Sequence, residues 1–431
     1  MKSLRSVPKE NIFPAPFDVS WFHQPTIRKL LSILQSEGAE VFAVGGCVRD
    51  SFWKKKVEEI DLAINIDPIQ VKELLNKIDC KVLNIGIEYG TVTVFLEGCK
   101  FEITSFRKDI KTFGRKAKVQ YCDDLKEDAK RRDFSFNTIY LNPNGLIVDP
   151  LGHFSDLISG TVKFVGDPNE RINEDHLRIL RYFRFVSKFP NTNKALDQET
   201  LNAIKRKRHL ILELSQERIW NELKLILSSH SIKAVISLMN QAGLLTVMFP
   251  QARLDLVKKM SELEKMLEKI INKGNECGPV DLCDPIRRLA LLSDGRDDFH
   301  QTIFSLNKKE LKRLRFYQLQ VSKIFESCHL IGFRYGLQNG IDLLLWSMTV
   351  FEEPVSSKIE EETQIILKRS YKKIVEGSFA RFPLSGQDLL NKGYSGRNLG
   401  LILKALETAW IESGFSLSRC QLLKKVDLSK D

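Results

Sequence analysis

Apolar and polar positions follow two different patterns along this chain of 431 residues. From about Thr26 to Ile158, short runs with strand-like alternation are mixed with segments of helical spacing. Beyond about Glu170, the spacing of three and four residues that is typical of amphipathic helices continues with few interruptions. The pattern therefore predicts an α+β protein, in which a small mixed sheet with helices on it precedes an all-α remainder.

Short runs with the composition of strands alternate with helical segments in the first part. The strand runs are Val41–Val44, Ile60–Ile66, Lys81–Ile85, Thr91–Leu96 and Lys100–Phe106. The last two flank a loop that contains Gly98, which predicts a hairpin. Helical spacing predicts helices over 26–37, 47–53 and 68–78. The polar stretch from Arg107 to about Asp128 has neither period, and we predict a mobile loop there.

Charge and cysteine content narrow the class of protein. The chain has 66 lysines and arginines against 55 aspartates and glutamates, a formal net charge of +11. This excess suits a polyanionic partner, although a merely basic surface accounts for it equally well. No run of about 18 apolar residues is present, so we expect no transmembrane helix and no membrane partner. Scattered cysteines without a C-x-x-C pair argue against a zinc ribbon, and the absence of a secretory signal favours an intracellular location.

The first residues are basic, with Lys2, Arg5 and Lys9 before the first acid, Glu10. Two interpretations stay open for this stretch: a disordered terminus, or a short mitochondrial targeting sequence. We therefore treat residues 1–24 as a separate N-terminal segment.

A glycine turn follows the first predicted strand. Val44 is followed by Gly45 and Gly46, and a helix is expected from Cys47 onward. Glycines let backbone N–H groups approach a ligand closely, and the start of a helix attracts phosphate. Arg49 adds a guanidinium for the same anion. Taken alone, the turn is equally typical of an ordinary strand-to-helix connection.

Three acids lie on predicted strands. Glu59 and Asp61 are two residues apart, so strand alternation points both side chains to one face. Two carboxylates on one face repel unless a cation lies between them, and phosphoryl transfer uses Mg²⁺ held in this way. Glu102 lies between apolar neighbours on a later strand. If that strand neighbours the strand of Asp61, the three carboxylates converge, and one of them can hold a second metal or accept the proton of an attacking hydroxyl.

Several motifs occur in a fixed order that resembles one family. They are Gly45–Asp50 (G-G-x-V-R-D), Glu59–Asp61 (at the position of D-x-D), Arg131–Asn137 (R-R-D-F-x-x-N), Asp149–Leu157, Glu174–Arg181 (E-D-x-L-R-x-x-R) and Gln216–Leu223. The chain is therefore similar to the nucleotidyltransferase superfamily, and specifically to class II CCA-adding enzymes and bacterial poly(A) polymerases, from about Ile27 to Pro250. A weaker match returns at Phe382–Leu389.

The resemblance implies roles for individual residues. Glu59, Asp61 and Glu102 are the implied catalytic carboxylates, and Glu59 and Asp61 the metal ligands. The implied nucleotide-binding residues are Gly45, Gly46, Arg49, Arg131, Arg132, Asp133, Asn137, Asp175, Arg178, Arg181 and Arg184. Base chemistry agrees with the roles of Asp175 and Arg178. Cytosine and adenine each offer an amino donor beside a ring-nitrogen acceptor, which a carboxylate and a guanidinium match, whereas uracil and guanine present the reverse.

The function that the resemblance implies is template-independent addition of CCA to the 3′ end of tRNA. Its substrates are CTP and ATP, its cofactor is Mg²⁺ in a two-metal site, and its partner is tRNA. The implied domains are a nucleotidyltransferase head (25–160), a nucleotide-reading helical neck (161–250), a helical body (251–345) and a tRNA-binding tail (346–431). The implied location is mitochondrial, cytoplasmic or nuclear. The sequence does not fix an oligomeric state.

Two positions depart from the family pattern. Glu59 replaces the usual aspartate, and its extra methylene moves the carboxylate by roughly 1.5 Å. Phe113-Gly114-Arg115 stands where Asp-Gly-Arg is common, in the segment that the family uses to change from C to A addition. Alternatives therefore stay open: an enzyme that adds only CC or only A, a poly(A) polymerase, or an inactive tRNA-binding relative. Basic runs that can contact tRNA, or are simply solvated, are Lys205–Arg208, Lys308–Arg315 and Lys368–Lys373.

Overall fold

The chain forms two compact units in a computed structural model, which describes residues 3–83, 86–113, 116–189, 196–274, 280–293, 304–319, 327–351 and 357–427. One unit comprises Met1–Leu223 with Leu238–Met248, and the other comprises Lys224–Ser237 with Phe249–Asp431. The first contains the mixed sheet, and the rest of the chain is helical, which confirms the predicted α+β class. The finer division into head, neck, body and tail stays a prediction.

The main sheet of the first unit has eight strands among the described residues. They are β1 (Ile12–Pro14), β2 (Val41–Val44), β3 (Ile60–Ile64), β4 (Lys81–Leu83), β5 (Thr91–Leu96), β6 (Cys99–Ser105), β9 (Tyr140–Leu141) and β10 (Leu146–Val148), in the order β1-β10-β9-β2-β3-β6-β5-β4. The β3–β6 pair is parallel, and the other pairs are antiparallel. The predicted hairpin between β5 and β6 is confirmed, and its turn places Glu97 and Gly98 at positive φ, as a two-residue hairpin turn requires.

Helices of the first unit begin at the residues that helix starts favour. Helix Pro25–Leu34 has proline at its first position and buries Ile27, Leu30, Leu31 and Leu34. Helix Pro68–Leu75 is capped by Asp67, which accepts a hydrogen bond from the Ile69 amide. The others of this unit are Gly46–Phe52, Leu125–Lys130, Phe154–Ser159, Pro168–Glu174, Arg178–Val186, Gln198–Lys207 and Leu244–Met248. Helices Gln216–Leu227 and Ile232–Gln241 contain residues of both units.

Two segments differ from the predictions. The predicted mobile loop contains a second, two-stranded sheet of β7 (Arg107–Phe113) and β8 (Lys116–Tyr121), while Gly114 and Arg115 lie outside the described residues. Polar residues occupy most positions of this ribbon, so the apolar period that identifies a strand is missing. Residues 3–24 are also ordered, because β1 pairs with β10 and the Phe22 side chain is fully buried.

The second unit is built from helices. They are Leu254–Gly274, Pro285–Leu292, Lys308–Leu319, Cys328–Phe351, Ser357–Phe379, Gly386–Leu390, Gly396–Glu412 and Arg419–Asp427. A buried ion network joins several of them. Arg287 contacts Glu264 at 2.6 Å and Asp342 at 2.5 Å, and Arg288 shares Glu264. Each guanidinium here faces at least one carboxylate, so the buried ionisable groups are paired. No helix within the described parts of the chain is long and apolar enough to cross a membrane.

Helices Cys328–Phe351 and Ser357–Phe379 approach each other most closely at two glycines. A Cβ on Gly377 would lie 2.3 Å from the His329 carbonyl oxygen, and one on Gly332 would lie 2.2 Å from that of Ile374. Because backbone atoms cannot yield, we expect Gly377→Ala to lower the free energy of unfolding by about 1–3 kcal/mol in urea titrations. Gly400 lies in helix Gly396–Glu412 with nothing within 4 Å, so Gly400→Ala is the control and should be neutral or slightly stabilising. Equal stability of both variants would contradict the close approach.

Candidate active site

A polar cleft of about 540 Å³ in the first unit collects most of the predicted site residues. Those that line it are Gly45, Gly46, Arg49, Glu59, Asp61, Arg132, Asp133, Asn137, Arg181 and Arg184. Glu102, Arg131, Asp175 and Arg178 are outside this lining set. Lys56 and Lys188 line the cleft as well, and sequence reasoning did not single them out.

The glycine turn keeps one wall of the cleft open. Gly45 has a φ of 75°, which a residue with a side chain rarely adopts. A Cβ on Gly45 or Gly46 would lie 3.8 or 3.9 Å from Oδ2 of Asp61, so the glycines leave this carboxylate accessible. Arg49 is buried behind the turn, where its Nη1 donates to Oδ1 of Asn137 at 2.9 Å and its Nη2 contacts Asp50 at 2.8 Å. The turn and this arginine therefore form one rigid wall.

The predicted convergence of the three acids depends on the pairing of β3 with β6. Asp61 is the direct partner of Glu102 in this parallel pair. Burial and the neighbouring Glu102 carboxylate raise the pKa of Asp61 to about 6, although Arg132 opposes the shift. Glu59 is 72% exposed, and its carboxylate contacts Nζ of Lys100 at 3.3 Å. The same ammonium contacts Glu102 at 2.9 Å. The acids thus share one electrostatic environment, with a lysine between two of them.

The donor set of the cleft fits a hard divalent cation. Asp61 and Glu59 provide carboxylate oxygens on the same cleft lining, and Mg²⁺ is commonly held by one or two carboxylates together with substrate phosphates and water. No cluster of three or more His, Cys, Asp or Glu side chains able to hold a metal occurs in the described part of the chain. The remaining ligands of such an ion would therefore come from the nucleotide and from water.

A buried aspartate that sequence reasoning missed orients the two arginines of the R-R-D block. Asp128 accepts hydrogen bonds from Nε of Arg131 at 2.7 Å, from Nη2 of Arg132 at 2.9 Å and from the Tyr140 hydroxyl at 2.7 Å. Burial would raise the pKa of Asp128, but Arg131 and Arg132 hold it at about 2. Arg132 therefore reaches the cleft as a fixed charge, close to Asp61.

The opposite wall of the cleft comes from helix Arg178–Val186. Arg181 donates through Nε to Asp133 at 2.8 Å, and Asn137 donates to the same carboxylate at 3.1 Å. Burial would raise the pKa of Asp133, but Arg181 and Asn137 hold it well below its ordinary value. Arg184 contacts Glu222 at 3.2 Å. The two arginines are therefore fixed by carboxylates from separate segments.

Asp175 and Arg178 each have another partner in this structure. Both oxygens of Asp175 accept from Nη2 of Arg218, at 2.9 and 2.8 Å. Nη1 of Arg178 donates to the Arg171 carbonyl at 2.8 Å and also to Glu174. Asp175 and Arg178 therefore do not form the i,i+3 ion pair that their spacing allows, because Asp175 binds Arg218 and Arg178 binds Glu174. Arg218 lies in the Gln216–Leu223 block. The resemblance of this block to the family was the sequence feature that could have pointed to Arg218, but the sequence analysis singled out no residue within it.

Lys188 provides a pH-sensitive charge in the cleft. Burial lowers the pKa of Lys188 to about 8, and the positive charge of Arg49 is the second largest cause of this shift. The ammonium that can bind a triphosphate is therefore present below pH 8 and lost as the pH rises through that value. We expect the KM for a nucleoside triphosphate to rise between pH 7.5 and 9 by up to about tenfold, in inverse proportion to the protonated fraction of Lys188. Lys188→Met should have a higher KM that is flat over this range. A wild-type KM that does not change with pH would contradict the prediction.

The cleft has the chemistry of a nucleotidyltransferase: a glycine turn, strand carboxylates suited to a divalent cation, and fixed arginines on the facing helix. Two family models match the chain, the poly A polymerase head domain over residues 41–163 and the probable RNA and SrmB-binding site of polymerase A over residues 195–255. The first match lies within the first unit, and the second includes residues of both units.

Curated relatives extend the similarity to nearly the whole chain. The mitochondrial CCA tRNA nucleotidyltransferase 1 of Mus musculus is 30% identical over 93% of this chain and 89% of its own length. The Homo sapiens counterpart gives the same values. The CCA-adding enzyme of Ligilactobacillus salivarius is 30% identical over 88% of this chain and 90% of its own length. The chain therefore belongs to the tRNA nucleotidyltransferase and poly(A) polymerase family, as its motifs predicted.

Solved structures share the fold. The Bacillus stearothermophilus CCA-adding enzyme in complex with CTP has a TM-score of 0.64 at 21% identity and covers 94% of this chain and 99% of its own. The Thermotoga maritima CCA-adding enzyme complexed with tRNA has a TM-score of 0.66 at 20% identity, over 95% of this chain and 96% of its own. At these identities the likeness is one of architecture.

Proposed function

We propose that the protein adds CCA to the 3′ end of tRNA from CTP and ATP, without a nucleic-acid template. The observation that carries the proposal is the near full-length similarity to enzymes that bear this activity in their names. The cleft supports it, because its glycine turn, carboxylates and arginines are the groups that nucleotidyl transfer needs.

The carboxylates and arginines of the cleft have complementary roles in this proposal. Asp61 and Glu59 hold Mg²⁺, which when bound neutralises triphosphate charge and polarises the attacking hydroxyl. Glu102, beside Asp61 on the neighbouring strand, can hold a second metal or accept the proton of the attacking hydroxyl. Arg49 and Arg132 hold the phosphates, since fixed guanidinium groups match phosphate oxygens well. Arg181 and Arg184 fix the nucleotide from the opposite side.

Base selection is assigned to Asp175 and Arg178. Each carboxylate oxygen has two acceptor sites, so Asp175 can accept from a base amino group while it stays bound to Arg218. Arg178 contacts Glu174 and the Arg171 carbonyl through Nη1 only. Another N–H group of the Arg178 guanidinium can therefore donate to a base ring nitrogen. The pair admits C and A on this basis.

The basic helical runs are the proposed tRNA contacts. Lys368, Arg369 and Lys372 are exposed on helix Ser357–Phe379. Arg313 of the run Lys308–Arg315 is instead turned toward Asp342, at 2.6 Å, and serves the buried ion network. A protein that serves all tRNAs is expected to recognise phosphate and shape rather than bases.

Incorporation of single labelled nucleotides tests the proposal. Purified protein is incubated with a tRNA transcript that ends before CCA, with Mg²⁺ and with CTP, ATP, UTP or GTP, alone and combined. Addition of C, C and then A supports the proposal. Addition that stops after CC, or that requires CC already present, identifies a partial enzyme, and an unlimited A tail identifies a poly(A) polymerase. No incorporation with Mg²⁺ or Mn²⁺, with tRNA still bound, identifies an inactive binder.

We also propose that the protein serves mitochondrial tRNAs, which the names of the mouse and human relatives support. Fusion of a fluorescent protein to the C-terminus tests this, with mitochondrial signal as the expected result. Purely cytoplasmic and nuclear signal would contradict it.

A further inference from the structure

A lysine lies between two of the three acids of the cleft. Nζ of Lys100 is 2.9 Å from Oε1 of Glu102 and 3.3 Å from Oε1 of Glu59. Lys100 is one third exposed, whereas Glu59 is 72% exposed, so the contact forms at the rim of the acidic group rather than in the core. One ammonium therefore interacts with both carboxylates that neighbour Asp61.

Strand geometry explains why the lysine reaches this place. Lys100 precedes Glu102 by two residues on β6, so both side chains lie on one face of the strand. The parallel register places Glu102 beside Asp61, and Glu59 lies two residues before Asp61, in the bend that leads into β3. Lys100 and Glu59 therefore each precede one member of the Asp61–Glu102 pair by two residues, and their side chains meet.

The length of the Glu59 side chain matters for the contact. An aspartate at position 59 would withdraw the carboxylate by roughly one C–C bond, about 1.5 Å. With the Lys100 side chain in its present position, the distance of 3.3 Å to Nζ of Lys100 would then exceed the range of an ion pair. The extra methylene, which departs from the family pattern, is the feature that lets Glu59 share the ammonium with Glu102.

We propose that Lys100 is a built-in cation of the active site, which occupies the carboxylates of Glu59 and Glu102 and competes with the divalent metal for them. Asp61 remains as the carboxylate without this lysine contact. Binding of a metal by Glu59 requires its release from Lys100, so the affinity of the site for divalent cations is lower than the three acids would otherwise give. The proposal rests on the metal site of the proposed function.

An ordinary surface ion pair is the competing explanation. Exposed pairs contribute little, and removal of one would leave metal affinity unchanged. A third possibility is that Lys100 holds the acids in place for the metal, in which case its removal would weaken metal binding. The three explanations predict different effects of removing Lys100 on the affinity for the metal: an increase, no change or a decrease.

Mn²⁺ titration followed by electron paramagnetic resonance, without tRNA or nucleotide, measures this sign. The variants are Lys100→Gln and, as the control, Lys29→Gln. Lys29 makes an exposed pair with Glu97 at 2.8 Å and does not line the cleft, so both changes remove one positive charge from a lysine–glutamate pair of the same unit. Asp61→Asn is combined with the wild type and with each variant. The Mn²⁺ binding that is lost on this change is the binding at the active site.

Lys100→Gln is expected to lower the Kd of the Asp61-dependent Mn²⁺ on the order of 5- to 10-fold, because a unit charge a few ångströms from the metal is removed. Lys29→Gln should leave it unchanged. Glu59→Asp should also lower this Kd, although it retains Lys100. The double variant Glu59→Asp with Lys100→Gln should lower the Kd by less than the product of the two single fold-changes, because both changes break the same contact. This second route does not depend on the folding of the Lys100 variant.

Unchanged or weaker Mn²⁺ binding in Lys100→Gln would overturn the proposal, as would the absence of Asp61-dependent Mn²⁺ binding in both the wild type and this variant. The titration needs no turnover, so it is separate from the proposed function. A protein that shows the Lys100 effect but incorporates no nucleotide would contradict CCA addition alone.

Discussion

Replacement of Asp61 with asparagine is expected to abolish nucleotide incorporation while tRNA binding is retained. Asparagine has the same shape but lacks the negative charge, and Asp61 is the carboxylate that faces the glycine turn and the fixed guanidinium of Arg132. Loss of such a ligand should lower kcat by at least roughly 10²-fold. Single-turnover incorporation of labelled CTP into a tRNA transcript measures the rate, and filter binding measures the affinity for tRNA.

Asp67→Asn is the matched control for this change. Asp67 caps helix Pro68–Leu75 and does not line the cleft, and asparagine caps helices about as well as aspartate. The control should retain wild-type incorporation. If Asp61→Asn kept wild-type activity, the carboxylate would not belong to the reacting site, and the assignment of the whole strand pair would fail with it.

The raised pKa of Asp61 fits this role. Burial and Glu102 raise it to about 6 in the absence of a cation, so near neutral pH the carboxylate is ionised at a cost to the protein. A divalent cation removes that cost, which is the usual relation between a cation and the acids that bind it. The high pKa therefore indicates a carboxylate placed for a ligand rather than for the stability of the fold.

Part of this site could be predicted from local pattern. Strand alternation gave the shared face of Glu59 and Asp61, and the order of the motifs gave Arg49, Arg132, Asp133 and Arg181. The convergence with Glu102 was conditional, because it depends on which strands are neighbours, and the parallel β3–β6 pair meets that condition. Periodicity and the order of the motifs along the chain were thus sufficient to find these cleft-lining residues, whose roles stay predictions.

The contacts that escaped prediction join residues far apart in sequence or depend on register. Arg218 reaches Asp175 from 43 positions away, and Lys100 meets Glu59 only because β3 and β6 are paired in one particular register. The buried arginines of the second unit are similar, because Arg287 meets Asp342 across 55 positions. Charged residues on helices usually face solvent, so pattern alone assigns these to the surface.

The structure also changes the interpretation of the unusual acid. Glu59 departs from the family pattern, and on sequence alone it left open an inactive tRNA-binding relative. Its contact with Lys100 supplies a physical reason for the longer side chain. A site in which Glu59 pairs with Lys100 is different from a site that has lost its first metal-binding carboxylate.

Replacement of Asp175 with alanine is expected to relax the choice of nucleotide. The carboxylate is the proposed acceptor for the amino group of cytosine or adenine, and a good bidentate base contact contributes about 1–3 kcal/mol of discrimination. The ratio of CTP to UTP incorporation, measured as kcat/KM for each, should therefore fall roughly 5- to 150-fold. Folding is checked by the unfolding midpoint, because Arg218 loses its partner in this variant.

Two further variants separate base reading from a structural role. Glu170→Ala removes an exposed acid from helix Pro168–Glu174, which ends one residue before Asp175, and should keep wild-type selectivity. Arg218→Gln keeps the Asp175 carboxylate but removes the two hydrogen bonds that Arg218 donates to it, so it should lower kcat/KM for CTP and relax selectivity less than Asp175→Ala. If Asp175→Ala lowered kcat/KM for all four nucleotides by the same factor, Asp175 would position the helix through Arg218 without reading the base, and selection of C and A would depend on other groups.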